Sequence, residues 1–292
     1  MKKLCSILAV AMLLTLAGCK DATADISKGD EALITVDGEK ITKSEIYSLA
    51  KKSAGATETL KLIEEKITDK EGIKVDDDMK KQAEESIKSL KSMYGDNLEK
   101  TLQQYGYKDL EDYKEKSVYP GLKLTELTKK YAKEKKSSLF TSYFPVKAQV
   151  LEADSEKKAK SALKALQDGD KFSDVVKEYG TTTTYSGKET LYTSKSGLPT
   201  AVFDKMKATN KKGLIGEVIS DETTKKYYVV DLTNVDASSF EEEAIDSIVT
   251  AGSADLQNTA IAFYLKKYDF TIYDKDVYDG IKTSNEAFIV QD

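Results

Sequence analysis

Residues 156–179 read EKKAKSALKALQDGDKFSDVVKEY, and this stretch decides the fold. Ala159, Ala162, Leu163 and Leu166 recur at helical spacing, which predicts an amphipathic helix ending near Gly169. Asp170 stands where it can N-cap a second helix, whose inner face carries Phe172, Val175, Val176 and Tyr179. Just upstream, after Pro145, the period changes and Val146, Ala148, Val150 and Leu151 read as a strand. Downstream, Thr181 to Thr190 is a polar loop. Strand-like pieces follow near Leu191-Tyr192 and from Ile215 to Ile219, then a clear strand, Tyr227-Tyr228-Val229-Val230-Asp231-Leu232. The middle third is therefore a compact α/β unit with a small sheet.

On either side the pattern is helical. Ordered structure is expected to begin at Ala32-Leu33-Ile34-Thr35-Val36, where Asp37-Gly38 before Glu39-Lys40-Ile41 is a hairpin signal. Thr42 precedes Glu45 by three residues, the capping-box spacing that opens a helix. Met79, Ala83, Ile87, Leu90 and Tyr94 share one helical face, and Leu98, Leu102 and Tyr105 form a shorter helix stopped by Gly106. Leu110, Tyr113 and Val118 begin another, with Pro120 expected as a kink or boundary. Leu124, Leu127 and Tyr131 lead into the lysine-rich stretch Lys129 to Lys136, read as a solvated face. After Val235 the chain turns helical again through Phe240, Ala244, Ile248, Ile261, Phe263 and Tyr264.

The N-terminus sets the compartment. Lys2 and Lys3 precede an almost wholly apolar run from Leu4 to Leu16, too short to span a bilayer comfortably but suited to a signal peptide. The run ends in Leu16-Ala17-Gly18-Cys19, which resembles the lipobox of bacterial lipoproteins. That resemblance implies cleavage before Cys19, lipid attachment to its sulfur and two-chain anchoring at the extracytoplasmic face of the membrane. Residues 1–18 are then the signal peptide and 19–30 a lipidated tether. Cleavage removes Cys5 and leaves no pair for a disulfide.

Composition excludes many chemistries. The 292 residues include no His, and all 45 basic residues are Lys. No Ser-His-Asp or Cys-His nucleophile, His-ligated zinc or imidazole acid–base is available. Without Arg there is no bidentate fork for phosphate or guanine. The net charge of −5 argues against nucleic acid as a partner.

The lipobox, the Ile34-Thr35-Val36-Asp37-Gly38-Glu39-Lys40-Ile41-Thr42 entry and the helical block resemble the extracytoplasmic foldases of Gram-positive bacteria, whose helical domain carries a parvulin-type prolyl isomerase domain. Within residues 156–179, Ala159, Leu163, Leu166, Gly169, Phe172 and Glu178-Tyr179 fall at parvulin positions. The tail Ile272-Tyr273-Asp274-Lys275-Asp276 resembles the family's end, where the C-terminal helix returns to the N-terminal block. The resemblance implies an α+β fold: a helical chaperone domain from residues 31–140 with 237–285, and an inserted parvulin-like α/β domain at 144–236 with a small antiparallel sheet plus helices.

The active-site positions depart from the family pattern. Gln149 stands where the first strand's His is usual, Tyr228 where the last strand's His is usual, and Thr182 at the Cys or Asp position. The Gly-Gly-Asp-Leu-Gly segment is reduced to Gly187 and a loose match through Tyr192. Leu198 and Phe203 keep the apolar proline pocket, so Tyr192, Leu198 and Phe203 are the substrate-binding candidates. Isomerisation breaks no covalent bond but must lower a barrier of about 18–20 kcal/mol by holding a twisted amide. Gln149, Thr182 and Tyr228 either form a neutral substitute network or fill a core that no longer catalyses. The lost loop glycines favour the second reading.

Other constellations weigh less. Ser155/Lys158 and Ser161/Lys164 match a Ser-x-x-Lys spacing by chance in a chain rich in both residues. Asp76-Asp77-Asp78 and Asp274/Asp276/Asp279 lack a calcium loop. Tyr105, Tyr107, Tyr113 and Tyr119 are candidate contact residues for chains of varied sequence. The expected protein is a lipid-anchored foldase-like chaperone of unfolded or partly folded exported polypeptides, with prolyl isomerase activity weak or lost. No metal or cofactor is implied, and a homodimer is left open. The alternatives are an active parvulin-type isomerase and a solute-binding lipoprotein of a transporter, which needs strand–helix alternation across residues 30 to 140.

Overall fold

The computed structural model describes residues 22, 24–182 and 184–291, so the expected signal peptide and Cys19 lie outside the described residues. By its contacts the chain divides into two compact units: the described residues up to Ile63 together with those from Leu265 onward, and Glu64–Tyr264.

The first unit opens with strands β1 (Ala32–Val36) and β2 (Glu39–Thr42). Val36 pairs with Glu39, leaving Asp37 and Gly38 as a two-residue turn with φ of 50° and 83°. Both central residues are left-handed, as a type I′ turn requires. Thr42 then caps helix α1 (Lys43–Lys70): its N–H donates to Glu45 Oε2 at 2.7 Å, and Glu45 N–H donates to Thr42 Oγ1 at 3.3 Å. Leu33, Ile34 and Val36 of the hairpin remain exposed.

The second unit is helical up to Tyr143. It contains α2 (Asp77–Tyr94), α3 (Leu98–Gln104), α4 (Leu110–Tyr113), α5 (Tyr119–Glu134) and α6 (Lys136–Tyr143). Every described element from Lys43 to Tyr143 is helical, which removes the alternation a two-lobed solute-binding fold needs. Asp76 accepts from Met79 N–H at 2.8 Å, so the triple aspartate caps and charges the start of α2.

Pro120 stands in the first turn of α5, at the boundary expected of it. Residues Lys114–Val118 form a π turn, with Tyr119 N–H donating to Lys114 O. The wider turn accommodates a residue that has no N–H and crowds the preceding carbonyls. The lysine-rich stretch is also not simply a solvated face. Lys129 bonds Glu126 at 3.1 Å and Asp246 at 2.9 Å, Lys136 bonds Glu241 at 2.7 Å, and Lys135 lies 4.6 Å from the Phe263 ring centre. Their partners on the later helix are distant in sequence, so helical spacing could not show them.

The α/β part begins with β3 (Val146–Ala153), followed by α7 (Glu156–Gln167), α8 (Phe172–Tyr179), β4 (Thr190–Tyr192), α9 (Thr200–Thr209), β5 (Gly213–Leu214), β6 (Ile219–Asp221) and β7 (Lys226–Asn234). The sheet runs β4-β3-β7-β5, with β6 also on β7, and all pairs are antiparallel. One face packs Val146, Ala148, Val150, Tyr228, Val230 and Leu232 against Val202 and Met206 of α9. The other packs Leu151, Ala153 and Val229 against Ala159, Leu163, Phe172 and Val175 of α7 and α8.

Two local expectations change. Asp170 does not cap α8, which opens after Lys171 without a side-chain cap. Asp170 N–H donates to Ala165 O and Gly169 N–H to Leu166 O, with Gly169 at φ 103°, so the residue closes a Schellman motif on α7. The strand-like reading from Ile215 to Ile219 holds only at Ile219, which opens β6; residues 215–218 lie between β5 and β6. Both β5 and β6 use the same edge of β7, and the residues between step along it, with Ile215 N–H donating to Val230 O.

Helix α10 (Glu241–Lys267) bends at Ser253, φ 46°, and α11 (Lys275–Ser284) ends the helical tail. Within the first unit, α11 returns to α1: Lys51 Nζ bonds Asp274 at 2.8 Å and Asp276 at 3.2 Å. A Cβ at Gly280 would stand 2.7 Å from Ala56 Cβ. These two aspartates therefore serve a lysine and the α11 N-cap rather than calcium. Among the described residues no helix is long and apolar enough to cross a membrane.

Candidate functional site

The register of β3 on β7 places Gln149 and Tyr228, two of the three positions expected to stand in for the family's catalytic groups. Val150 pairs with Val230 and Glu152 with Tyr228, while Gln149 pairs with Asp231. Side chains alternate along a strand, so Glu152 and Tyr228 point to the α9 face and Gln149 to the α7/α8 face. Gln149 and Tyr228 are not brought together. Gln149 Nε2 donates to Gly187 O at 2.5 Å, and Gly187 is wedged against Val176 and Phe172. Thr182 is half-buried and accepts the Thr184 N–H at 3.0 Å.

Tyr228 is 1% exposed and makes an internal network instead. Its hydroxyl donates to Glu152 Oε2 at 3.0 Å, and Thr181 Oγ1 donates to Glu152 Oε1 at 3.3 Å. The Tyr185 ring stands edge-on to it with centroids 5.8 Å apart. Burial first, then the bond to Glu152, holds the Tyr228 phenol well above the ordinary tyrosine range, with the Thr224 hydroxyl acting in the opposite sense. A hydroxyl so placed stays protonated and orders the core. Glu152, Thr181 and Tyr185 escaped the sequence reading; the strand register puts Glu152 opposite Tyr228, and tertiary contacts bring in Thr181 and Tyr185 from the loop.

The three substrate-binding candidates separate. Tyr192 is buried on β4 within the core, where burial raises its phenol pKa above the usual value. Leu198 and Phe203 line a cavity of about 250 Å³ beside Ser142, Thr193, Ser194 and Thr200. Phe144, left-handed at the end of α6, meets Phe203 edge-on at 6.1 Å. The cavity has two apolar walls and a ring of neutral hydroxyls, with Asp204 and Lys207 at its lip. Such a cup can receive an apolar ring and donate hydrogen bonds to a carbonyl, with its charged groups on the exposed residues Asp204 and Lys207.

No family model matches the chain. A foldase protein PrsA of Streptococcus mutans is 30% identical over 286 residues, covering 90% of this chain and 81% of that protein. The chain belongs to the PrsA foldase family. PrsA of Bacillus subtilis is 27% identical and covers 90% of each chain. The crystal structure of PrsA from Streptococcus pneumoniae, 23% identical, superposes with a TM-score of 0.50 over 89% of this chain and all of that one, which carries the α+β fold. As a PrsA foldase the chain works outside the cytoplasm on exported, incompletely folded proteins. The match embraces both the helical parts and the sheet.

Proposed function

We propose that this foldase acts by transient shielding of apolar client segments and that its prolyl isomerase activity is weak or lost. The observation that supports this is the placement of Gln149 and Tyr228 on opposite faces of the sheet, with the Tyr228 hydroxyl engaged by Glu152 inside the core. A network beneath a proline pocket needs its members on one face, pre-organised toward the twisted amide. The helical chaperone domain is residues 31–140 with 237–285, and 144–236 is the parvulin-like domain retained for binding. A protease-coupled prolyl-peptide assay, run beside aggregation suppression on one preparation, tests this. Suppression with background isomerisation is expected. Isomerisation well above background, abolished by Phe203→Ala, would overturn the inactive reading. The cup at Leu198 and Phe203 is the one feature favouring that second reading.

The protein is anchored through lipid on Cys19, as the Leu16-Ala17-Gly18-Cys19 pattern supports. Cys19→Ala is expected to release it from the membrane fraction, and unchanged membrane retention would refute the anchor. Two copies pair through the exposed hairpin, where Leu33, Ile34 and Val36 are 53%, 55% and 62% exposed on strands that lack further partners in the sheet. Light scattering should show a dimer that Ile34→Lys with Val36→Lys converts to monomer; a wild-type monomer would refute it.

A further inference from the structure

A second cavity, of about 330 Å³, lies among the helices of the larger unit, away from the Leu198 and Phe203 cup. Its floor is Leu98 and Leu102, 3% and 6% exposed, presented by α3 at a four-residue spacing. Leu90 and Tyr94, also four apart, line it from the last turn of α2, and Thr101 lies beside the floor. Tyr107 and Tyr113 close one side as an edge-to-face pair with centroids 5.0 Å apart. Tyr105, 78% exposed, stands at the mouth.

The backbone is bent to make this wall. Gly106, at φ 88°, turns the chain between Tyr105 and Tyr107. The π turn at Lys114–Val118 inserts a residue just after Tyr113, which rotates the preceding turn by about 100° relative to α5. Tyr119 and Leu124 beyond it enter the core, whereas Tyr113 lines the cavity. Tyr119 is accordingly a core residue, while Tyr105, Tyr107 and Tyr113 are gathered in one place.

We propose that this tyrosine-lined cavity anchors a single large apolar side chain of an extended, incompletely folded polypeptide. The inference rests on the foldase reading and assigns it a first contact. The cavity sits at the small end of ligand sites, and a helix about 10–12 Å across with its side chains does not enter it. Rigid rings with hydroxyl tips accept aromatic and branched aliphatic side chains alike and hydrogen-bond the passing peptide backbone. That tolerance suits a partner defined by being unfolded rather than by sequence.

The chain contains no Trp, so a disordered peptide of Gly, Ser, Gln and Lys with one central Trp reports its own capture by the full-length chain. The emission is expected to shift to the blue, and peptides with central Phe or Leu should displace the probe while one with central Ser does not. Tyr105→Ser alters only an exposed ring, and Thr101→Phe fills the cavity without removing a floor residue. Each is expected to weaken binding about tenfold with unchanged circular dichroism. Tyr273→Ser, which also alters an exposed ring but lies outside the cavity lining, should leave the affinity as it was. Binding by both cavity variants within twofold of the parent, or equal displacement by the Ser peptide, would overturn the proposal. If the parent still suppresses aggregation in that case, only the cavity assignment falls. If it neither binds peptide nor suppresses aggregation, the shielding mechanism falls with it.

Discussion

Replacing Tyr228 by Phe removes one hydroxyl and preserves the ring that fills the core. That hydroxyl reaches Glu152 Oε2 at 3.0 Å from a residue 1% exposed. A hydrogen bond to a charged group is worth about 1.5–3 kcal/mol. Glu152 is only half-buried, so water partly rehydrates the abandoned carboxylate and the expected loss is about 1–2 kcal/mol. For a cooperative unit of 150–250 residues each kcal/mol shifts the midpoint by about 2–4 °C, so the melting temperature should fall by about 2–8 °C. In a Glu152→Gln background the acceptor is neutral and costs less to leave unpaired, so the same substitution should cost less than about 1 kcal/mol. Thermal melts and urea titrations of the four proteins complete the cycle. A Tyr228→Phe variant as stable as the parent, or an equal loss in both backgrounds, would refute the internal network. Tyr228 would then be free of the internal network.

Introducing two histidines, Gln149→His with Tyr228→His, should leave prolyl isomerisation at background, because the two side chains leave opposite faces of the sheet; a coupled assay showing a large gain would refute that placement. Gly187→Ala should destabilise by about 2–4 kcal/mol in urea titrations, since φ is 73° and the new Cβ would approach Val176 to 2.7 Å; a neutral substitution would contradict the packing there. Burial opposes the Asp274 charge, but the hydrogen bonds from Lys51 and the Val277 N–H prevail and hold its carboxyl below the usual range. The folded value is depressed, so this stabilisation is complete above the unfolded value of about 4 and disappears as pH falls through the folded one. Melts from pH 6 downward should show that loss in the parent and less of it in Lys51→Met; identical pH profiles would argue against the ion pair.

Features closed by near neighbours were legible in the chain. The Asp37-Gly38 turn, the Thr42 and Glu45 capping box and the helix stop at Gly106 each involve groups within a few residues, and each formed. Asp170 shows the limit of this reading. As a favourable cap type it pointed to α8, yet its backbone was already committed to the Schellman motif of α7. Pro120 was rightly marked as a disturbance, but whether a helix breaks or widens depends on what holds the two sides. Here a π turn directly precedes the proline, which takes a place in the first turn of α5. The ion pairs of Lys129 and Lys136 join residues more than a hundred positions apart, beyond the reach of helical periodicity.

Composition and period by themselves determined the order of helical block, compact α/β unit and helical tail, and the absence of imidazole and guanidinium chemistry, because they survive any detail of packing; the α+β class with its small antiparallel sheet came from the family resemblance. Only the tertiary structure decided what the substituted positions do. Strand register assigns every side chain to one face or the other, so Gln149 went to Gly187 and Tyr228 to Glu152 on opposite faces of the sheet. It likewise divided the tyrosines, burying Tyr119 and gathering Tyr105, Tyr107 and Tyr113 around one cavity, through a π turn and a left-handed glycine whose effect on direction appears only when the helices pack.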